Sequence, residues 1–242
     1  MIGVVLAAGL GRRLAPHAQG LPKALLPIGQ GVAIFDVILG NLAAVGIERL
    51  AVVVSDAAPY FADRVPDARQ RHGIAMELIQ NRRPEWNNAY SLWLARHAFA
   101  EGAIIVNGDT LHPVEVERAL LARSDDALVL AVDSARPTDA EAMKVTLRPD
   151  RYVDRISKQL PPTSAYGEYI GVSLVRRAGA RALADALEAT WRNDPDEYYE
   201  GAYQRLADQG LPIGVADPGN FDWVEVDDGV DLAVARELAC RF

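Results

Sequence analysis

Residues 2–14 are Ile2-Gly3-Val4-Val5-Leu6-Ala7-Ala8-Gly9-Leu10-Gly11-Arg12-Arg13-Leu14. The first six form a short apolar run rich in β-branched residues, which predicts a buried strand. The small residues that follow predict a tight turn whose backbone N–H groups a ligand can approach closely. Arg13 and, further along, Lys23 add positive charge beside that turn. A buried strand, a small-residue turn and nearby cations together predict a site for a polyphosphate.

Two other glycine-rich phosphate motifs do not match this stretch. The phosphate loop of P-loop NTPases ends in Gly-Lys-Ser/Thr, and no such ending follows the turn. The dinucleotide fingerprint G-x-G-x-x-G could begin at Gly9 and Gly11, but Leu14 stands where its third glycine belongs. The missing glycine removes a close contact between helix and strand, which argues against an NAD-dependent enzyme.

The complete pattern is L-A-A-G-x-G-x-R-L at residues 6–14, followed by P-K at residues 22–23. It resembles the signature of the sugar-phosphate nucleotidyltransferase superfamily. The resemblance implies an α/β fold: a Rossmann-like three-layer αβα sandwich with a mixed, mostly parallel sheet and a small β-hairpin substrate lobe. It also implies a nucleotidyltransferase that uses Mg²⁺.

The length and composition of the chain limit its class. It has 242 residues, half of them apolar, which is enough for one α/β domain with a sizeable core. The net charge of −8 gives no global attraction for nucleic acid or for an acidic membrane, and no apolar run is long enough to span a bilayer. A single cysteine, Cys240, and a start directly in a strand predict a cytoplasmic protein.

Strand and helix patterns alternate through the first half of the chain. Apolar, strand-like runs separated by helical spacing lie at residues 50–54, 75–79, 103–106 and 127–132. This alternation predicts a mainly parallel sheet whose ligands bind beyond the carboxyl ends of its strands. Residues 143–158 predict a β-hairpin, and the run at 169–175 predicts a late antiparallel strand. We expect one domain over 1–242, with nucleotide binding in 1–132, and acceptor binding and a second metal motif in 133–242.

A polar loop at residues 81–89 follows the third strand, at the same edge of the predicted sheet. Amide side chains carry donors and acceptors, so Asn88 can contact a base edge, although capping of the next helix is an equal alternative. The string N-x-Y-S-L at residues 88–92 resembles a segment of the nucleotidyltransferases that use CTP on small phosphorylated alcohols. In that group the segment helps to hold the cytosine and the substrate.

Three carboxylates are candidates for a metal site. Asp109 follows the fourth strand at the edge where the first loop lies, and Mg²⁺ prefers carboxylate oxygens together with phosphate oxygens. Period-two alternation over residues 221–228 places Glu225 and Asp227 on one face with Trp223, and two such charges repel unless a cation lies between them. A solvated edge strand before a capped helix is the alternative for this pair. The G-D pair and the string W-x-E-x-D resemble the metal motifs of choline-phosphate-type cytidylyltransferases.

The resemblance also assigns roles to the remaining polar residues of the site. Arg13 and Lys23 are expected to hold the triphosphate, and Lys144 to steer the substrate anion. Lys144 is preferred to Lys158 because its apolar neighbours match those of the family's strand lysine. The nucleotide is expected to contact Leu6, Ala7, Ala8, Gly9, Gly11, Asn81, Asn88, Ser91 and Gly108.

Aromatic and acidic residues in the regions assigned to the acceptor predict a substrate with an amine. An ammonium group suits aromatic faces with carboxylates nearby. The expected acceptor contacts are Trp86, Glu168, Tyr169, Tyr199 and Trp223, and further candidates are Tyr198, Tyr203 and Glu200. Packing in the core or in a homodimer interface is the alternative for each aromatic residue.

We therefore expect a Mg²⁺-dependent cytidylyltransferase that joins CMP from CTP to a small phosphate or phosphonate and releases pyrophosphate. CTP is favoured by the short chain, by N-x-Y-S-L in place of a glycine-rich segment, and by W-x-E-x-D in place of W-x-D, all on the strength of the resemblance. A sugar-1-phosphate nucleotidyltransferase that uses UTP, dTTP or GTP is an alternative. A nucleotide-binding regulatory domain without catalysis is another, although the three acidic candidates argue against it.

Overall fold

The computed structural model describes residues 1–9, 11–14, 20–29, 31–56 and 58–239; Leu10 and Cys240 lie outside these ranges. The strands are β1 (Ile2–Ala7), β2 (Pro27–Gly29), β3 (Val32–Ala33), β4 (Arg49–Val54), β5 (Ala75–Gln80), β6 (Ala103–Asn107), β7 (Thr110–Leu111), β8 (Leu128–Asp133), β9 (Lys144–Leu147), β10 (Val153–Ser157), β11 (Gly167–Val175), β12 (Ile213–Ala216) and β13 (Val224–Glu225). The α-helices are α1 (Ile34–Ala44), α2 (Ala58–Ala62), α3 (Arg64–His72), α4 (Asn88–Leu94), α5 (Glu115–Ala122), α6 (Ala180–Asn193), α7 (Glu200–Asp208) and α8 (Gly229–Leu238).

The main sheet has the order β10-β9-β11-β6-β1-β4-β5, and β8 extends it by pairing with β11 and β12. At its centre β1 lies parallel between β4 and β6, with Val5 opposite Val52 and Val106. The late strand β11 runs antiparallel to β6, β8 and β9, and β9 and β10 form the expected hairpin. The predicted α/β sandwich with a mixed sheet and a hairpin lobe is confirmed.

The central strand contributes side chains to two cores, one on each face of the sheet. Val5 and Ala7 pack into the core that α1, α5 and α8 cover. Ile2 and Val4 alternate with them and pack into the core beneath α4, α6 and α7. A strand that is buried on both faces must be apolar throughout, which explains the unbroken run at residues 2–7.

The ends of β1 and β6 lie so close that the turn after β6 requires a glycine. The backbone N–H of Gly108 donates to the Leu6 carbonyl oxygen at 2.9 Å. A Cβ atom at this position would lie 2.7 Å from the same oxygen, which is inside the contact limit. Gly108 therefore lets the chain carry Asp109 across the end of β1.

The structure differs from the predicted elements in two places. Between β4 and β5 the sequence pattern predicts one helix over residues 59–71, and the structure has two, α2 and α3. The strand expected over 221–228 is reduced to β13, two residues long, so its period-two alternation does not extend to Trp223. That tryptophan is buried, and its indole N–H donates to Asp133 Oδ2 at 2.7 Å. A side-chain contact, and not a strand ladder, holds the chain there.

No helix in the described part of the chain has the length and apolar character needed to cross a membrane. The division into a nucleotide-binding part (1–132) and an acceptor-binding part (133–242) stays a prediction. The main sheet continues across that boundary, because β8 ends at Asp133 and pairs with β11.

Candidate active site

Three carboxylates meet at the carboxyl edge of β1 and β6. One oxygen each of Asp109, Glu225 and Asp227 lies within 4.8 Å of the other two. The short ribbon of β7 and β13 brings them together, because Thr110 pairs with Glu225. The Val226 N–H also donates to the Asp109 carbonyl oxygen at 2.9 Å. Residues far apart in the sequence are thus joined through one small antiparallel ribbon.

The carboxylate of Asp227 is available to the site because its neighbour caps the following helix. Asp228 Oδ1 accepts from the backbone N–H groups of Val230 and Asp231, at 2.8 and 3.1 Å. In the reciprocal half of this capping box, Asp231 Oδ2 accepts from the backbone N–H groups of Asp227 and Asp228. The capping alternative therefore applies to Asp228, and Asp227 turns its side chain toward the cations.

Two cations of the first loop contact these carboxylates. Lys23 Nζ lies 2.7 Å from Asp109 Oδ2 and 2.5 Å from Asp227 Oδ1. Arg13 Nη2 lies 2.8 Å from Asp227 Oδ2. The Lys23 side chain is 13% exposed and that of Arg13 is 71% exposed. Lys23 is therefore an internal counter-ion, whereas Arg13 lies at the solvent edge.

The pKa values of these groups reflect their unequal neighbours. Desolvation raises the pKa of Asp227, but Lys23 and Arg13 outweigh it and hold that pKa below its usual value. Burial lowers the pKa of Lys23, yet Asp109 and Asp227 raise it overall. Desolvation and the charges of Asp109 and Asp227 raise the pKa of Glu225, although its side chain stays accessible from the cleft. Added positive charge would favour the ionised form of all three carboxylates.

The residues of this cluster fit a hard divalent cation. Such ions take carboxylate oxygens as ligands, and three carboxylates converge here. Asp109 Oδ1 is buried, and among the described residues it has no hydrogen-bond partner. A buried oxygen without a donor has lone pairs that an ion can use.

A cleft of about 250 Å³ opens beside the carboxylates. It brings many of the predicted contacts together: Leu6, Ala8, Gly9, Arg13, Trp86, Asn88, Ser91, Asp109, Glu225 and Asp227. Tyr198, named as a further acceptor candidate, also lines it, as do Lys158, which was passed over, and Pro84, Asn87 and Asn107, which the prediction missed. Asn107 stands directly before the G-D pair, and this position is the signal that could have identified it. Of the other predicted nucleotide contacts, Ala7 is the last residue of β1, Gly11 lies in the loop that follows, and Gly108 lies in the turn after β6.

The asparagines of the polar loop have structural partners, and Asn87 and Asn88 also line the cleft. Asn81 is buried and its amide donates to Ser91 Oγ at 2.9 Å. Asn88 Oδ1 accepts from the Tyr199 N–H at 2.9 Å. The cap of α4 is Asn87, whose Oδ1 accepts from the Asn88 N–H at 2.7 Å. Helix capping, assigned to Asn88 as the alternative, therefore belongs to the preceding residue.

The structure corrects the assignment of Lys144. This lysine is fully buried, and its ammonium donates to the carbonyl oxygens of Asp139, Ala140 and Ala142 at 2.9, 3.1 and 3.0 Å. All three protons are used, so none is available for a substrate anion. Lys158, to which the resemblance preferred Lys144, is the hairpin lysine that lines the cleft.

Three predicted acceptor contacts also lie in the core. Tyr169 and Tyr199 are buried with their hydroxyls 3.0 Å apart, and Tyr199 donates to Asn107 Oδ1 at 3.0 Å. The two tyrosines thus contact the Asn107 side chain from the core, Tyr199 directly and Tyr169 through Tyr199. The indole of Trp223 is hydrogen-bonded to Asp133, as described above. Glu168 is half-buried beside Lys144; desolvation and the charges of nearby aspartates raise its pKa to about 7.

A second cavity of about 420 Å³ adjoins the cleft, between β10 and the start of α7. Lys158 and Tyr198 line both, with Lys158 Nζ 5.6 Å from the centre of the Tyr198 ring. Asp196, Glu197 and Glu200 line the second cavity together with two cations, Arg155 and Lys158. Glu200 is only 6% exposed, and its Oε2 has no hydrogen-bond partner among the described residues.

Comparison with known proteins gives a family match over most of the chain. Residues 3–202 match the model described as the MobA-like NTP transferase domain. The chain is 29% identical over 249 aligned residues to CMP-5'-(3-aminopropyl)phosphonate synthase of Streptomyces rubellomurinus, which covers 99% of this chain and 38% of that protein. It is 29% identical to choline-phosphate cytidylyltransferase of Streptococcus pneumoniae over 43% of each chain. The chain thus spans less than half the length of these curated relatives.

Solved structures share the fold over the whole chain. The inositol-1-phosphate CTP transferase from T. maritima superposes with a TM-score of 0.84 at 24% identity, covering 99% of this chain and 95% of that one. The CTP:phosphocholine cytidylyltransferase from Streptococcus pneumoniae superposes with a TM-score of 0.73 at 19% identity, covering 98% and 99%. At these identities the superpositions establish the fold.

Proposed function

Because the chain belongs to the MobA-like NTP transferase domain family, we propose that it is a Mg²⁺-dependent cytidylyltransferase. It joins CMP from CTP to a small, amine-bearing phosphate or phosphonate and releases pyrophosphate. The observation that carries the proposal is the convergence of Asp109, Glu225 and Asp227 beside Lys23 and Arg13. This arrangement provides carboxylates for a metal and cations for a triphosphate at one edge of the sheet.

The reaction needs positioning and charge neutralisation more than acid–base chemistry. An oxygen of the acceptor's phosphate or phosphonate attacks the α-phosphorus of CTP, and the bond to the pyrophosphate oxygen breaks. The attacking oxygen is already an anion near neutral pH, so no general base is required. Lys23 and Arg13 neutralise the triphosphate and the departing pyrophosphate, which lowers the repulsion between the two anions. Asp109, Glu225 and Asp227 would hold Mg²⁺, which supplies further neutralisation and orientation when bound.

The choice of CTP draws its support from the relatives and from the cleft wall. Two relatives that align with this chain are named as the synthase of a CMP-phosphonate and as a cytidylyltransferase. The small residues Ala8 and Gly9 leave room for a base and ribose, and Asn88 and Ser91 present polar atoms to the same cleft. These residues are the proposed nucleotide contacts.

The choice of an amine-bearing acceptor draws its support from the second cavity. Glu200, a buried carboxylate with one oxygen that lacks a partner among the described residues, lies there with Asp196 and Glu197. An ammonium group would satisfy that carboxylate and could also contact the face of Tyr198. The acceptor's anionic end would then lie near Lys158, at the boundary between the cavity and the cleft. The relative from Streptomyces rubellomurinus is named for an aminopropylphosphonate product.

A crossed substrate screen tests this function. Pyrophosphate release is measured for CTP, UTP, GTP and dTTP, each with 3-aminopropylphosphonate, phosphocholine, inositol 1-phosphate and glucose 1-phosphate, with and without EDTA. We expect EDTA-sensitive release with CTP and an amine-bearing acceptor, and none with Asp109→Asn, which controls for contaminating enzymes. Release only with a sugar 1-phosphate and another nucleotide would favour the sugar-nucleotide alternative. No release with any pair would contradict the proposal. The cytoplasmic location and the homodimer stay predictions.

A further inference from the structure

The ammonium of Lys23 contacts two of the three carboxylates that a divalent cation at the cluster would also bind. Lys23 Nζ bridges Asp109 Oδ2 and Asp227 Oδ1, at 2.7 and 2.5 Å. These two residues, with Glu225, are the groups that could hold the ion. An ammonium at hydrogen-bond distance from both oxygens lies in the space that a coordinated ion would fill. The two cations therefore compete.

The charges of the cluster explain why the bridge forms. Three carboxylates lie within 4.8 Å of one another and repel, and Lys23 is the more buried of the two cations that neutralise them. A lysine carries its charge on a long flexible stem and has three N–H donors. Two donors go to the carboxylates, so the third can contact a phosphate before the other two contacts break.

We propose that Lys23 changes partners when ligands bind: it bridges Asp109 and Asp227 in the ligand-free protein and moves to the triphosphate as a divalent cation binds those two carboxylates. This inference rests on the proposed function, because it requires a nucleoside triphosphate at the site. It predicts that metal alone binds weakly and that metal and triphosphate strengthen each other's binding. By thermodynamic linkage, the factor by which the metal tightens triphosphate binding must equal the factor by which the triphosphate tightens metal binding.

Metal binding to single variants tests the exchange without reference to turnover. Mn²⁺, which accepts the same oxygen ligands, is titrated into the wild-type protein, Lys23→Met and Lys158→Met by calorimetry and electron paramagnetic resonance. We expect Lys23→Met to bind Mn²⁺ alone at least about tenfold more tightly than the wild type. Lys158→Met removes one positive charge from the same cleft, with no bridge to lose, and should change the affinity by less than about threefold.

The second measurement is the effect of a bound nucleotide on the affinity for Mn²⁺. We expect α,β-methylene-CTP, an analogue that cannot transfer its nucleotide, to tighten Mn²⁺ binding by about tenfold in the wild type and by less than about twofold in Lys23→Met. Unchanged or weaker Mn²⁺ binding by folded Lys23→Met overturns the exchange, as does an equal gain in Lys158→Met. If thermal unfolding shows that Lys23→Met does not fold, the wild-type coupling decides, and its absence overturns the proposal. Turnover without coupling would contradict only the exchange, whereas coupling without turnover of any acceptor would contradict only the proposed function.

Discussion

The buried carboxyl of Glu200 should make the stability of the protein depend on pH. Glu200 begins α7, is 6% exposed, and its Oε2 has no partner among the described residues. Desolvation is the main cause that raises its pKa from 4.5 to about 7. Between these two pH values the folded protein keeps a proton that the unfolded chain has lost. The free energy of unfolding therefore falls as the pH rises from about 4.5 to about 7 and stays low above that range.

The size of the effect follows from the gap between the two pKa values. Each pKa unit corresponds to about 1.4 kcal/mol, so a gap of about 2.5 units corresponds to about 3 kcal/mol. Glu200→Gln carries a neutral side chain of nearly the same shape at every pH. Its free energy of unfolding therefore does not fall with pH on account of residue 200. Because part of this change lies below pH 5, we expect the stability of Glu200→Gln relative to the wild type to increase by about 2.5 kcal/mol from pH 5 to pH 8.

Urea unfolding at pH 5, 6, 7 and 8, followed by circular dichroism, measures this difference directly. Glu197→Gln is the matched control, since Glu197 lines the same cavity but is exposed. The other titrating groups of the chain are common to both proteins and cancel in the comparison. The free energies of unfolding of Glu200→Gln and the wild type should thus diverge as the pH rises. If their difference stays constant with pH, the environment of Glu200 does not disfavour its charged form, and the argument is refuted.

Three further changes probe the core and the site. Lys144→Met leaves three carbonyl oxygens without their donor. It should lower the free energy of unfolding by about 3 kcal/mol in urea titrations and leave the KM for the acceptor unchanged. A raised KM in a variant of wild-type stability would show that Lys144 does contact the substrate. Gly171 has φ +78°, and a Cβ there would lie 2.6 Å from Asn107 Nδ2. Gly171→Ala should therefore lower the free energy of unfolding by about 2 kcal/mol, measured by thermal unfolding. An unchanged Tm would contradict this expectation. Asp109→Asn should weaken Mn²⁺ binding by more than about tenfold in calorimetric titration, and wild-type affinity would exclude Asp109 as a ligand.

The contrast between Lys144 and Lys158 shows where sequence reasoning ends. Both are lysines at the ends of hairpin strands, and their local sequences do not reveal which one is buried. Lys144 is enclosed because the loop at residues 139–142 folds over it and offers three carbonyl oxygens. The tyrosines show the same limit: Tyr198 lines the cleft, while its neighbour Tyr199 turns inward to Asn107. The orientation of Tyr199 depends on a contact across 92 positions, whereas Lys144 is enclosed by residues two to five positions away, through a loop conformation that the residue types alone do not specify.

The sequence by itself determined the central strand, the small-residue turn with its cations, and the identity of Asp109, Glu225 and Asp227 as acidic candidates. These features are local, because burial on both faces of a strand and the freedom of glycine are visible within a few residues. Only the tertiary structure decided that Lys23 bridges two of the carboxylates, across separations of 86 and 204 residues. It also decided which lysine and which tyrosine face the ligand, since the environment of a side chain depends on the segments that pack against it.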